Sequence, residues 1–207
     1  MMEIQRKTPT QPRSKAAVQA ILEATTHLLL AKGAKRLTTN HIAELAGVSI
    51  GSLYQYFTNK EAIVAKLTEL YVEEEVTRVS ILMTRIRKSS TCKQSIFMRE
   101  RNIRLVMQEF IDIHTENLEL AQILHTQIDN QACRQALRNT TTFLTKLVQD
   151  MLDHVDGITR KGNNTRAYII SNSIDLLIQT TLIEQPELFT KPEFLDELVN
   201  LCMSYLK

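Results

Sequence analysis

Glycine and proline are scarce in this chain, five and four residues out of 207. So few backbone breakers, beside an abundance of Leu, Ile, Glu, Gln and Lys, argue against a turn-rich β architecture and predict an all-α protein. Cysteine is scarcer still. Cys92, Cys133 and Cys202 are odd in number, far apart and form no CxxC pair; neither a disulfide framework nor a zinc site is indicated. No run approaches about 20 apolar residues, so no membrane span is expected. The N-terminus is polar and lacks the apolar segment of a secretory signal. A reducing cytoplasm fits these absences. Also missing are the GxSxG, P-loop, HExxH and Rossmann glycine patterns. No catalytic residue, metal ligand or cofactor is therefore expected.

What is present is ordinary in amount and uneven in distribution. Hydrophobic residues make up 43% and charged residues 23%, enough for one or two small domains with a real core. Residues 1–60 hold eight Lys and Arg against three acids, while the remainder holds 17 against 20. A basic head on a mildly acidic body suits a protein that meets a polyanion at one end. A solvated basic tail is the plainer explanation of the same numbers.

Residues 1–12 are polar, contain Pro9 and Pro12, and predict a flexible arm. Ser14 is a plausible cap for a first helix carrying Val18, Ile21, Leu22, Leu28 and Leu29 at helical spacing. Thr38 and Ser49 can cap two short helices, Thr39–Ala46 and Ile50–Phe57, with Ile42, Leu45, Leu53 and Phe57 facing inward. Asn59 can cap a fourth helix that runs to about Arg87, and Lys88–Gln94 reads as a polar loop. Further helices are predicted near Ser95–His114, Asn117–His125, Asp129–His154, Thr165–Glu184 and Pro192–Leu206.

The sharp feature is the helix, tight turn and helix across residues 38–57, TTNHIAELAGVSIGSLYQYF. Two steeply crossing helices need a short connection with one residue at positive φ, which Gly47 supplies without steric cost. With Leu53 and Phe57 buried, Gly51, Ser52, Tyr54, Gln55 and Tyr56 face outward. The small first turn lets the backbone approach base edges, and Gln55 can both donate to and accept from adenine. Thr39 and Asn40 open the second helix, where a phosphate is favoured. Lys60 adds a charge-assisted phosphate contact. His41 reads as a solvated helix residue.

The ordered run Ile21-Leu22, Lys32-Gly33, Leu37-Thr38, Ile42-Ala43, Ala46-Gly47-Val48-Ser49, Gly51-Ser52-Leu53-Tyr54, Tyr56-Phe57 and Asn59-Lys60-Glu61 resembles the N-terminal domain of the TetR family of bacterial repressors. The resemblance covers about residues 13–71. It implies a three-helix helix-turn-helix DNA-binding domain over 13–73, joined by a linking helix to a larger helical ligand-binding and dimerisation domain over 74–207. It implies base contacts near Ile50, Gly51, Ser52, Tyr54 and Tyr56, and phosphate contacts from Thr39, Tyr54, Tyr56 and Lys60. Ser49 belongs to the same surface. The implied partners are a double-stranded palindromic operator, a small-molecule effector and a second copy of the chain. A ligand would shift the separation of the two reading heads away from the roughly 34–36 Å that matches successive major grooves.

In the body, Phe97, Met107, Phe110, His114, Phe143, Leu147 and Met151 are candidates for a Phe/Met-rich pocket that would suit an apolar or aromatic effector. Core packing is the plainer explanation of each. The last two helices carry apolar stripes. Ile170, Ile174, Leu177, Ile178, Leu195, Leu198 and Cys202 are the candidate dimer seam, though packing within one subunit explains such stripes too. Asp150, Asp153, His154 and Asp156 read as a solvated helix end, and Glu73-Glu74-Glu75 as a charged face. An activator, a ligand-independent regulator, an enzyme using the body pocket and a sequence-blind nucleoid binder are the competing functions. Turnover surviving deletion of residues 39–60 would favour the enzyme.

Overall fold

A computed structural model describes residues 9–89, 96–126, 130–153 and 162–205. These residues form α1 (Pro12–Lys32), α2 (Thr39–Leu45), α3 (Ile50–Tyr56), α4 (Lys60–Ser89), α5 (Ile96–Glu116), α6 (Leu118–His125), α7 (Gln131–Asp153), α8 (Asn163–Glu184) and α9 (Pro192–Tyr205). Short 3-10 turns at Ala34–Arg36 and Pro186–Thr190 complete the set. The fold is all-α, as the scarcity of breakers implied. Lys88 and Ser89 belong to α4 rather than to the loop expected there; the rest of that loop, and residues 1–8 of the expected arm, lie outside the described residues.

Two compact units divide the chain. Residues 1–72 and 119–137 make the head; residues 73–118 and 138–207 make the body. The resemblance implies a body that includes 119–137, whereas the structure sets that stretch with the head. In the head, α1, α2 and α3 pack on one another around Ile21, Leu29, Ile42, Leu53, Phe57 and Ile63, all fully buried. Burying side chains of this size stabilises by about 1.5–3 kcal/mol each. Leu124 and Cys133 are buried in that same core.

Capping explains the helix starts. Ser14 is not the N-cap of α1 but sits one turn inside it: its hydroxyl accepts from the N–H of Gln11 at 3.2 Å and donates to that residue's carbonyl at 2.8 Å. Pro12 then occupies the first turn, where its missing N–H costs nothing. Thr38 accepts from the N–H of His41, Ser49 from Ser52, and Asn59 from Ala62, as the sequence predicts. Asn130 does two things at once. Its Oδ1 accepts from the N–H groups of Ala132 and Cys133, and its Nδ2 donates to the carbonyl of Glu61 at 2.9 Å. It thereby starts α7 and fastens that start to the first turn of α4.

The body is held by contacts of α5 and α8 with α9, by the edge-to-face pair Phe189–Phe194, and by Arg78. The Arg78 guanidinium reaches Glu109 at 2.7 Å and grips both carboxylate oxygens of Glu116, at 2.7 and 2.8 Å. A planar guanidinium fits a carboxylate in this two-pronged way.

Candidate nucleic-acid interface and ligand cavity

Gly47 has φ +64° and no heavy atom near the position a Cβ would take. It is in the turn for its backbone, not to make room. That turn sends the chain from α2 to α3, leaving one side of α3 on the core through Leu53 and the other in solvent. Ile50, Gly51, Tyr54 and Gln55 are exposed and Ser52 is half-buried. Tyr56 is not among them: it is buried in the head core with Phe57, because i+3 and i+4 from Leu53 lie on one face. Leu45, expected inward, is 55% exposed; Ile42 and Ala43 alone fill the inner face of so short a helix.

Two expected phosphate ligands meet each other in the structure. The hydroxyls of Thr39 and Tyr54 lie 3.1 Å apart, linking the start of α2 to the exposed edge of α3. Asn40 is exposed beside them. Ser49 caps α3 and also meets the Ser52 hydroxyl at 2.8 Å. The half-buried Lys60 donates to the carbonyl of Leu37 at 3.1 Å, which brings its ammonium to the segment leading into α2. The surface that results is small and polar, with one lysine at its margin, and is presented by short helices.

In the body, residues of α4, α5, α7, α8 and α9 line a cavity of about 80 Å³. Met107, Phe110 and His114 line it. Phe143 does not: it is exposed, and Leu144 and Val148 line the wall in its place. Leu147 is half-buried and outside the lining. The side chains of Phe97 and Met151 lie outside the described residues, as do His154 and Asp156.

The dimer assignment is corrected more heavily. Ile170, Ile174, Ile178 and Cys202 turn inward onto the cavity, Leu198 is buried and Leu195 is half-buried. Of the expected seam only Leu177 is exposed. The outward apolar residues are instead Ile169, Leu176 and Ile183, at intervals of seven on α8, with Leu201 and Tyr205 on α9.

Sequence reasoning also missed the polar residues of the cavity. Glu75 is buried and lines it, with Asp175, Ser171, Asn102 and His114. Burial first, and then the charge of Asp175, push the Glu75 carboxyl up to about 8. Asp175 accepts from Thr141 at 2.7 Å and from Gln179 at 2.8 Å. The His114 ring shares a 2.8 Å hydrogen bond with the carbonyl of Phe110, and burial holds its pKa below the usual histidine range against that bond and the charge of Asp175. The burial of Glu75 follows from its position four residues before Val79 on the inner stripe of α4, a signal hidden in the run of three glutamates. Among the described residues no three His, Cys, Asp or Glu converge as metal ligands.

A short helix held outward on a capped helix-turn-helix is a form that DNA-reading domains use. Residues 21–67 match the family model of bacterial regulatory proteins, tetR family. That stretch holds α2, the Gly47 turn and α3, so the helix-turn-helix of this chain is similar to the family's. The chain is 34% identical over 107 residues to the nucleoid occlusion factor SlmA of Vibrio vulnificus, a match that spans 51% of this chain and about half the length of that relative, 50%. Its fold is similar to a putative TetR-family regulator from Mesorhizobium loti, with a TM-score of 0.67 at 15% identity, covering 95% of this chain and 96% of that one. It is also similar to the transcriptional regulator FadR of Bacillus subtilis in complex with stearoyl-CoA, with a TM-score of 0.62 at 17% identity, covering 91% and 96%. No helix among the described residues is long and apolar enough to cross a membrane.

Proposed function

We propose that this regulator is a dimeric repressor that holds a palindromic operator and releases it when a small ligand fills the body cavity. One observation carries the reading. The single helix α4 bears Lys60 at its head end and, further along, Glu75 and Val79 on the cavity wall. A ligand that presses on Glu75 and Val79 acts on the helix that carries Lys60, so occupancy and DNA contact can be coupled as two linked equilibria. The predominantly apolar lining supports an apolar ligand, and the acyl ligand of the Bacillus subtilis FadR complex is consistent with such a lining in this fold. The DNA surface comprises Thr39, Asn40, Ser49, Ile50, Gly51, Ser52, Tyr54, Gln55 and Lys60. Tyr56 is left to the core.

The second copy docks on the exposed faces of α8 and α9. Ile169, Leu176 and Ile183 form a row at heptad spacing, flanked by Leu177, Leu201 and Tyr205, and such a row suits a helix-on-helix seam.

The test is binding of the purified protein to the DNA flanking its own gene, at one fixed moderate salt concentration. The expected result is a palindromic site bound by a dimer and competed poorly by unrelated DNA. Equal affinity for every sequence overturns the reading, because phosphate contact alone is blind to sequence. The likeness to SlmA favours a second reading, a role in nucleoid occlusion. It expects many binding sites spread over the chromosome, where the repressor reading expects few.

A further inference from the structure

Two carboxylates line an otherwise largely apolar cavity, and they are not equivalent. Asp175 is anchored by Thr141 and Gln179. Glu75 is 4% exposed and makes no hydrogen bond or ion pair among the described residues. No Lys or Arg is among the described residues of the lining. Arg78, one turn further along α4, is committed to Glu109 and Glu116. Beside the two acids the hydroxyl of Ser171 is buried with no hydrogen-bond partner among the described residues. Unpaired groups like these are costly to bury, and the sign of the cavity is negative.

We infer that the cavity takes a slender apolar ligand carrying one positive charge, an alkyl- or arylalkyl-ammonium, with its cation against Glu75 and Asp175 and its hydrocarbon along Val79, Met107 and Ile174. This rests on the reading of the cavity as the effector site. A cation supplies Glu75 with the counter-charge that the described lining lacks. Ser171 can accept from an N–H of the same ammonium. A carboxylate or phosphate ligand of equal length meets two acids instead. A neutral alcohol fills the apolar part but leaves the carboxyl to hold its own proton. For a divalent metal, no three His, Cys, Asp or Glu converge among the described residues. Without a cation beside it, Glu75 titrates at about 8 and holds a proton at pH 7. Seating the ammonium makes the ionised form the stable one, and the proton leaves to solvent. His114 faces the same space with a depressed pKa and stays neutral throughout.

The experiment is titration calorimetry of the full chain at pH 7 with decylammonium, decanol and decanoate, each below micelle formation. Decylammonium is expected to bind about tenfold more tightly than decanol, with decanoate weakest, since a desolvated charge pair is worth this much or more. Its heat should vary with the ionisation enthalpy of the buffer, showing release of about one proton. Glu75→Gln, with helix content unchanged by circular dichroism, should erase the proton release and most of the preference while leaving decanol binding as it was. Tightest binding by decanoate, equal binding by ammonium and alcohol, a preference that survives Glu75→Gln, or binding by none of the three overturns the inference. Operator affinity is followed separately by fluorescence anisotropy. An operator complex that forms but ignores all three probes rejects the ligand class and leaves DNA recognition standing. Loss of operator recognition rejects the regulator reading whatever the cavity binds.

Discussion

The hydroxyl of Tyr54 lies 3.1 Å from that of Thr39, fifteen residues earlier in the chain. The bond sets the exposed phenol of α3 against the first turn of α2, so both oxygens face the same strip of solvent. Tyr54→Phe and Thr39→Val each remove one oxygen without opening the core. Operator affinity should fall about tenfold in either variant, the worth of a hydrogen bond to a charged phosphate. Thermal stability should change little. Anisotropy with labelled DNA at fixed salt reads the first, and a melting curve the second. Unchanged affinity in both variants removes this edge from the interface.

Lys60 gives a different signature. Its ammonium is held by the Leu37 carbonyl, so Lys60→Met costs a positioned charge. The slope of log affinity against log salt should become shallower by about 0.9 for each phosphate that the ammonium no longer neutralises. Binding to specific and unrelated DNA should weaken alike. An unaltered slope means that Lys60 only fastens the head.

Gly47 tests the turn. At φ +64° with open space around it, Gly47→Ala meets no clash and pays only for the backbone conformation, about 1–2 kcal/mol. Urea unfolding followed by circular dichroism should show that loss. Equal stability means that the turn relaxes to another conformation.

Glu75 makes stability depend on pH. Its carboxyl titrates near 8 in the folded chain against an ordinary value of 4.5. Between those values the native state holds a proton that the unfolded state gives up, so stability falls as pH rises through this window and levels off above it. Glu75→Gln should remove the fall and stabilise the protein by roughly 3 kcal/mol at pH 7, with little effect at pH 4. Parallel melting curves for the two proteins across the window contradict the burial of an unpaired carboxyl.

The outward row on α8 predicts the assembly. Leu176→Glu, placed on a residue that is 65% exposed, should turn a dimer into monomers by light scattering without unfolding either. Cys202→Ser, inside the cavity wall, should leave the dimer intact. Dimers that tolerate Leu176→Glu put the seam elsewhere.

The head was legible in the sequence because its signals are local. Thr38, Ser49 and Asn59 cap the helices that follow them, and Gly47 marks a turn that few other residues tolerate. Tyr56 and Leu45 depart from the expected faces because a seven-residue helix gives barely two turns from which to find its inner face. The body was less legible. α8 carries apolar residues on both sides, Ile170, Ile174 and Ile178 inward and Ile169, Leu176 and Ile183 outward, and periodicity alone does not say which side meets a partner. Phe143 is the larger side chain, yet its neighbour Leu144 is on the inner stripe. Glu75 was hidden by its charge. An acid in a run of acids reads as surface unless its place in the 3.6-residue period is weighed more heavily than its polarity.

Asn130 opens α7 while holding Glu61, and Leu124 and Cys133 complete the core of the head. The head is thus assembled from two stretches of chain separated by almost fifty residues of body. In the currency of evolution, no single crossover exchanges it. Recombination at residue 73 between two such genes leaves the DNA-reading helices from one parent facing a buried patch from the other. A new operator specificity is therefore more readily reached by point changes on the exposed face of α3 than by trading whole heads.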